Sequence, residues 1–570
     1  MRNTMLAFLV IYLFTSAKLV FAAEALFTIP APGTQTEDGN RSPAAAKKAA
    51  PGGKTKAAPP AAKTAQKSSV AAPRTAATPR TAANPRSNAN RFERVFNDAK
   101  NLIKASKFAE AATKLHALSK RSEMLEQRQE IKYLLGYCLM ELNLNQISAF
   151  QFVDVIKNGT SRYVKASIEK LSIVADRLGD DSLLNYAVSK VVLEDFPDSK
   201  KDIIYYRLGE IKLKNGQYKE AAENFSKVPQ GSRYYFQAKF NRGLAYLSNN
   251  EPQNAISIYQ SLVDGRANVR VTDLGRVSSL MGLARAQYQA QQWDDSIATY
   301  RMVPRDHEIW HDALFESSWA MLRAARFRSA LSNFQSLHSS FYEDFYIPES
   351  LLLRSIVYLY ICKYDEMEKV LGLYEKIYGP VRTKLGQFVQ ANNDPIEYYL
   401  EMEKALQIRK DKKPIGGLKI PYNAARYIMD DGEVKRSLTY LKILGEERAK
   451  LDATPYIKSS ALYGLSAKIL ANRSRNTKTN IGNMVREKIG EMRNQLRDLY
   501  EQAGFIRYEM INGQKEQLKK KIAGKGFEQI DDEIDREFYV KNGYEYWPFD
   551  GEYWLDEVGN YHYLGKQSCE

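Results

Sequence analysis

Small and aromatic residues return every 34 positions through the middle of this chain, and that period limits the folds open to it. Gly209 and Gly243 stand one period apart, as do Ala221 and Ala255, Ala284 and Ser318, Trp293 and Phe327, Ser296 and Ala330, and Tyr300 and Phe334. A repeat of this length is one supersecondary unit that cannot bury its apolar face alone, so copies must stack with a core running continuously between neighbours. Stacking makes a long curved surface rather than a buried catalytic centre. Binding is therefore the first function to expect.

Each unit needs small residues where its two helices cross and bulky ones where it meets its neighbour. In the clearest copy Tyr205, Leu208 and Gly209 mark a first helix, Asn215 and Gly216 a turn, and Tyr218 the start of a second helix. Ala221 sits at the crossing, Phe225 at the interface and Pro229 at the end. A twelve-residue step between small residues recurs from Ala99 to Ala111, Gly243 to Ala255, Ala284 to Ser296 and Ser318 to Ala330, with Phe108, Trp293 and Phe327 in the place of Tyr218. These residues resemble the tetratricopeptide repeat family. The resemblance implies an all-α, right-handed helical solenoid. Weaker copies run from Gly136 to Ala149 with one extra residue, from Ala175 to Ala187, from Ser355 to Met367 after the aromatic insertion Phe341 to Ile347, and from Ala425 to Ser437. The expected organisation is eight helix pairs over residues 92–378 and a further helical, repeat-like region over 379–475. Pro414, Gly416, Gly417 and Pro421 predict a loop from Lys412 to Pro421.

The chain opens with Arg2, the apolar run Leu6 to Phe14, and small residues Val20 and Ala22, the three parts of a secretory signal cut after Ala22. The run is short for a membrane span and Lys18 interrupts its continuation; an uncleaved signal anchor is the competing reading. No cysteine follows the cut, which argues against a lipid anchor there, and no later stretch is apolar enough to span a bilayer. Residues 23–91 read as a disordered tether. From residue 28 to 91 there is no aromatic side chain, and nine prolines punctuate an alanine, lysine and arginine background that cannot bury a core.

The formal net charge of +16 belongs mainly to that tether: residues 41–91 hold eleven Lys or Arg and no Asp or Glu, whereas residues 92–570 carry +6. Nucleic acid is therefore not an expected partner. Anionic wall polymer or phospholipid headgroups suit the tether better, which makes any membrane contact peripheral, and a linker kept soluble by its charge is the plain alternative.

Among the three cysteines, Cys138 and Cys362 fall in different repeats, too far apart along a solenoid to pair, while Cys569 is left to pair with Cys362 or with another molecule. His307-Glu308-Ile309-Trp310-His311 matches H-E-x-x-H, which on a helix places two imidazoles for zinc. The repeat register runs through it, with His311 at a helix start and His307 near the cap, so no metal site is assigned. With no phosphate loop, nucleophile elbow or paired-cysteine pattern, the expectation is a protein without cofactor and not an enzyme.

Val485, Ile489, Met492, Leu496, Leu499, Ala503, Ile506 and Met510 form a heptad seam on a long helix expected over 476–525. It packs either on the last turn of the solenoid or in a dimeric coiled coil. Residues 526–570 change character. The turn signals Asn542-Gly543, Asp550-Gly551 and Gly559-Asn560 separate three short segments, which predicts an acidic, aromatic cap formed as a small β-meander. Its aromatics Tyr544, Tyr546, Trp547, Tyr553 and Trp554 are either a platform for wall glycan or a miniature core closing the stack. Twelve Asp or Glu against three Lys or Arg in 526–570 complement thirteen Lys or Arg against six acids in 473–525.

In layout the chain is similar to exported tetratricopeptide proteins of bacterial envelopes, including members that serve outer-membrane assembly, wall constriction or gliding motility. The stretch Asp195 to Ser199 leading into Tyr206-Arg207-Leu208-Gly209-Glu210 resembles the inter-repeat junction of that group, and Tyr544 to Tyr563 resembles the tails of motility-associated members. The resemblance implies a periplasmic scaffold whose partners are envelope proteins or peptides, with an adaptor gripping wall glycan and a wall-remodelling enzyme as alternatives. In this family the first helices line the groove. The positions three before and one after the crossing residue are Tyr206 and Glu210, Phe240 and Leu244, Met281 and Arg285, and Phe315 and Trp319, the residues expected to face a partner. For the leader, mass spectrometry of the exported protein should find an N-terminus near Ala23; recovery of Met1 or Arg2 would show that the segment is retained.

Overall fold

The computed structural model describes residues 85–158, 161–179, 182–184, 201–265, 272–411, 416–523, 541 and 552–563, so the expected leader, residues 23–84 of the tether, Asp195 to Ser199 and Ala187 lie outside the described residues. Everything regular among them is helical. The pairs are α1 (Pro85–Lys104) with α2 (Phe108–Ser119), α3 (Arg128–Glu141) with α4 (Asn145–Asn158), α6 (Lys201–Lys214) with α7 (Tyr218–Ser226), and α8 (Tyr235–Ser248) with α9 (Pro252–Val263). They continue as α10 (Asp273–Gln289) with α11 (Trp293–Tyr300), α12 (Trp310–Arg323) with α13 (Phe327–Leu337), and α14 (Pro348–Tyr360) with α15 (Tyr364–Ala391); α5 (Ser161–Leu178) stands between the second and third pairs.

One turn chemistry joins the two helices of every pair. A single residue adopts the left-handed conformation in each: Ser106, Asn143, Gly216, Asn250, Gln291, Ala325 and Cys362. The next residue donates its N–H to the carbonyl five positions back, as in Gln217 to Lys212 (2.9 Å), Glu251 to Tyr246 (2.8 Å) and Arg326 to Met321 (2.8 Å). This is the closure that ends a helix on a left-handed residue and satisfies carbonyls otherwise left open. Gly216, Asn143 and Asn250 announce it by residue type, whereas at Ser106, Gln291, Ala325 and Cys362 the helices on both sides impose the conformation.

Where the helices cross, an aromatic ring lies on a missing side chain. A Cβ on Gly209 would meet the Phe225 ring at 2.6 Å, and one on Gly243 the Tyr259 ring at 2.7 Å. Gly136 meets Phe152 in the same way, and Ser148 Oγ donates to the Gly136 carbonyl at 2.7 Å. The second small residue of that unit is therefore Ser148, twelve positions on, and the extra residue assigned to this copy is absent. Ser296 makes the equivalent bond to the Ala284 carbonyl at 2.8 Å. Ala425 and Ser437 do not form a repeat. They fall on α17 (Tyr422–Asp430) and α18 (Gly432–Asp452), which are separated by Asp431 alone, leaving no room for a reversing turn.

After the repeats the chain runs back along them. Following α16 (Pro395–Asp411), α17, α18 and α19 (Pro455–Lys458) comes α20, a helix of 62 residues from Ala461 to Ile522. At 1.5 Å per residue it is roughly 93 Å long. Leu462 and Leu470 join Tyr440, Leu444 and Leu451 in a core shared with α1 to α8. The heptad seam from Val485 to Met510 is buried in a second core, shared with α12 to α18. The seam thus packs in cis, and α20 bridges the two main cores. Two glycines let it pass close to its neighbours: a Cβ on Gly482 would run into the Pro395 backbone carbonyl, and one on Gly513 into the Tyr364 ring. Among the described residues no helix is long and apolar enough to cross a membrane.

No strand occurs among the described residues, which overturns the expected meander where it can be followed. Residues 552–554 and 560–563 are irregular and 555–559 form turns. The segment lies on the repeats instead of pairing with itself: Gly559 N–H donates to Ser336 Oγ (2.7 Å), Tyr563 N–H to Ser332 Oγ (3.0 Å), and Val558 is buried beside Trp310.

Gly482→Ala should lower the unfolding free energy by about 1–3 kcal/mol, because a backbone carbonyl cannot move aside as a side chain can. Gly464, with nothing within 4 Å of its Cβ position, is the control. There alanine should raise stability by up to about 1 kcal/mol through helix propensity alone. Denaturant titration of the two variants decides; equal effects would mean that the α16–α20 approach is looser than described.

Candidate functional site

The expected groove positions are not an open surface. Tyr206, Phe240 and Met281 are each only 1% exposed. Tyr206 stacks on Tyr234 with centroids 5.1 Å apart, Phe240 lies edge-on to Tyr259 at 5.2 Å, and Met281 shares a cluster with Val277, Trp310 and Val558. Leu244 and Trp319 are buried, and Phe315 is half-buried. The position three before the crossing residue points between the second helix of its own pair and the neighbouring pair, so bulk there is core packing. Truncating Phe240 would excavate the interior rather than trim a contact surface.

The polar members are engaged internally. Glu210 accepts from Arg207 at 2.7 Å, and Arg207 is itself fully buried. Arg285 holds Glu316 through Nε (2.7 Å) and Nη2 (2.5 Å), and Tyr300 donates its hydroxyl to the same carboxylate at 2.8 Å. A buried ion pair of this kind needs every lone pair answered, which the tyrosine helps to do.

The returning helices account for part of what covers this face. Lys214, at the end of α6, pairs with Glu433 of α18 at 3.3 Å, and the Arg436 charge acts on the buried Tyr206 hydroxyl. Tyr427 of α17 packs on Tyr346 at 5.3 Å, and Arg426 lies 3.7 Å above the Phe345 ring. Glu447 of α18 reaches the first residues of α4, where its two carboxylate oxygens accept from Gln146 N–H (2.8 Å) and Ile147 N–H (3.2 Å). A side chain 300 residues away in sequence thus caps the helix and answers the positive end of its dipole. Tyr440 adds a hydroxyl bond to Gln146 Oε1 at 2.5 Å, and Arg473 of α20 donates to Ser182. No sequence signal at Glu447 distinguishes it from a solvated helix acid.

Residues 206–269 and 278–307 each match the Tetratricopeptide repeat. Over these residues the chain carries tetratricopeptide repeats. Among solved structures it is similar to the apo form of RapI, at 12% identity over 64% of this chain and 98% of that one with a TM-score of 0.32. It is also similar to a Rap protein complexed with Competence and Sporulation Factor, at 10% identity over 69% and 99% with a TM-score of 0.27. A third is the TPR domain of P58(IPK), at 12% identity over 67% and 99% with a TM-score of 0.17. Superpositions this poor say nothing about partners of this chain. No curated protein matches it.

The tetratricopeptide register also explains the histidine pair. The helix begins at Trp310, so His307 lies in the preceding turn, where its Nδ1 accepts from Ile309 N–H at 3.3 Å. His311 is the second helical residue; its Nδ1 meets the Glu308 carbonyl at 2.9 Å and its ring packs on Phe345 at 3.9 Å. The two imidazoles do not share a helical face. Of the cysteines, Cys138 is free and buried in the first core, with burial pushing its thiol up to about 12, and Cys362 is disulfide-bonded.

Of the aromatic platform, Tyr544, Tyr546 and Trp547 lie outside the described residues. Tyr553 is half-buried, receives a bond from Gln335 Nε2 at 3.4 Å and packs against Tyr561. Trp554 is 59% exposed.

Burial pushes the Glu447 carboxyl up to about 7, against the pull of the N–H groups it accepts from. The folded state therefore keeps this proton where the unfolded chain has lost it. The associated stability is complete below about 4.5 and is lost as pH rises through about 7. Relative to Glu447→Gln, the wild type should lose roughly 1–3 kcal/mol between pH 4.5 and 7.5 in urea denaturation. A pH-independent difference would mean that the carboxyl is solvated.

Proposed function

We propose that the protein is an exported cell-envelope scaffold that binds other envelope proteins. The reading rests on a secretory-type leader in the sequence, on tetratricopeptide repeats, and on one surface observation that carries it. On the last third of α20, Phe505, Tyr508, Ile511, Leu518 and Ile522 are 54–78% exposed. At 100° per residue the last four fall within roughly 80° of arc, turned away from the buried seam of Ile506 and Met510. Large apolar residues gathered on one exposed stripe mark an interaction surface, and a helix presenting them suits an apolar groove on a partner. Lys515 within the stripe and Lys519 beside it favour a partner with an acidic rim.

The proposed contact surface thus lies on the outside of the long helix α20, whereas the first-helix positions contribute to the core. The solenoid supplies the rigid support. In this reading the protein is a binding protein, works in the periplasm, needs no cofactor, and meets membrane only peripherally. A second reading, an adaptor for wall glycan, draws support from the exposed Trp554 and its exposed neighbour Leu555, which the bonds of Gly559 and Tyr563 hold against the repeats.

A photo-crosslinking residue at Tyr508 should capture an envelope protein in cells, and Ile511→Ser with Leu518→Ser should abolish that capture while the melting temperature stays within about 2 °C of the wild type. Undiminished capture by the variant would remove the stripe from the binding surface. Retention on purified wall that is lost in Trp554→Ala would favour the glycan reading.

A further inference from the structure

A second surface, remote in chemistry from the apolar stripe, lies where α15 passes α20. A cleft of about 340 Å3 opens there between Arg382 and Gly386 of α15 and Gly490, Arg493, Asn494 and Arg497 of α20. Through Arg382 and Gly386 it continues into a larger hollow of about 580 Å3 bordered by Tyr500.

Three guanidinium groups line the smaller cleft and no carboxylate does. Among the described residues Arg382 and Arg493 form no ion pair, and Arg382 is steadied by the Tyr500 ring 4.8 Å below it. Arg493 is half-buried. Arg497 meets only its chain neighbour Asp498, at 3.1 Å, with both side chains more than half exposed. Arg382 and Arg497 are exposed, so water screens much of the repulsion among the three like charges, and an oxyanion seated between them would relieve the rest. Stacking on a ring and planar forked donors are the features with which arginine receives oxyanions.

The glycines point the same way. Gly386 and Gly490 lie inside long helices, where each costs about 1 kcal/mol relative to alanine. Packing does not require them: a Cβ at either position would meet no atom within 4 Å. Gly482, in the same helix, shows the contrast, since there a neighbouring backbone forbids a side chain. What the two cleft glycines do is keep the space between the arginines empty.

We infer that this cleft binds a phosphoryl group, with Arg382, Arg493 and Arg497 sharing its charge and Asn494 donating a hydrogen bond. The group belongs either to a soluble phosphate ester or to a lipid headgroup, which offer the same oxyanion. The site is independent of the apolar stripe and stands or falls separately from it.

Isothermal titration of the full mature chain with inorganic pyrophosphate at low salt should show saturable binding at one site. Arg382→Gln with Arg493→Gln should weaken it at least tenfold. Gly490→Leu fills the cleft without removing a charge and should weaken it as much while raising the melting temperature, which separates lost binding from lost folding. Sedimentation with phosphatidylglycerol vesicles, against phosphatidylcholine, divides the sources: pelleting lost in both variants assigns the phosphoryl group to a lipid, and pyrophosphate binding without variant-sensitive pelleting assigns it to a soluble ester. Absence of saturable binding, or equal binding by wild type and Gly490→Leu, overturns the site.

Discussion

The burial of one face of α20 is the interaction on which the rest of the architecture depends. Repeats of helix pairs contact only their neighbours, and a stack of them ordinarily has two ends with little to close them. Here Leu470 at one end of the long helix lies in the core of the first repeats, and the seam from Ile481 to Met510 lies in the core of the last ones. Burying a leucine, isoleucine or methionine of this kind contributes about 1.5–3 kcal/mol each. Repeats far apart in the stack are thereby made to share one helix.

Much of the repeat architecture was legible because its physics is local and periodic. An aromatic ring over Gly209, Gly243 or Gly136 requires glycine whatever the surroundings, so the spacing appears directly in the sequence. The heptad seam was legible for the same reason, although periodicity alone left its partner open between another chain and the solenoid. The turns were less legible. Ser106, Gln291 and Ala325 carry the same left-handed geometry as Gly216 with no residue preference to advertise it, since the flanking helices enforce it.

The candidate site was the least legible part, for a related reason. Stepping along a helix from Gly209 or Gly243 finds the face on which Tyr206 and Phe240 lie, but period alone cannot say whether that face meets solvent or another helix. The answer lay in Tyr234 at the start of α8 and Tyr259 on α9, and the later helices add ties from hundreds of residues away, Glu447 capping α4 and Glu433 beside Lys214. Such long-range polar ties leave no trace in either sequence segment. The turn-rich end misled in another way: Gly559 and Asn560 do mark a turn, yet the chain beside it finds its hydrogen bonds on Ser332 and Ser336 rather than on a neighbouring strand.

The course of α20, from the first repeats to the last, also fixes how the molecule bears mechanical load. An open solenoid stretched along its axis behaves as a spring, and it comes apart by peeling one repeat at a time from whichever end is pulled. A helix anchored in both main cores runs alongside the spring like a strut. Tension applied at Pro85 cannot lengthen the stack without sliding the α20 seam past its partners, which loads many side-chain contacts in shear together instead of one interface in sequence. A protein braced in this way transmits a pull from one end to the other with little extension until it yields as a unit.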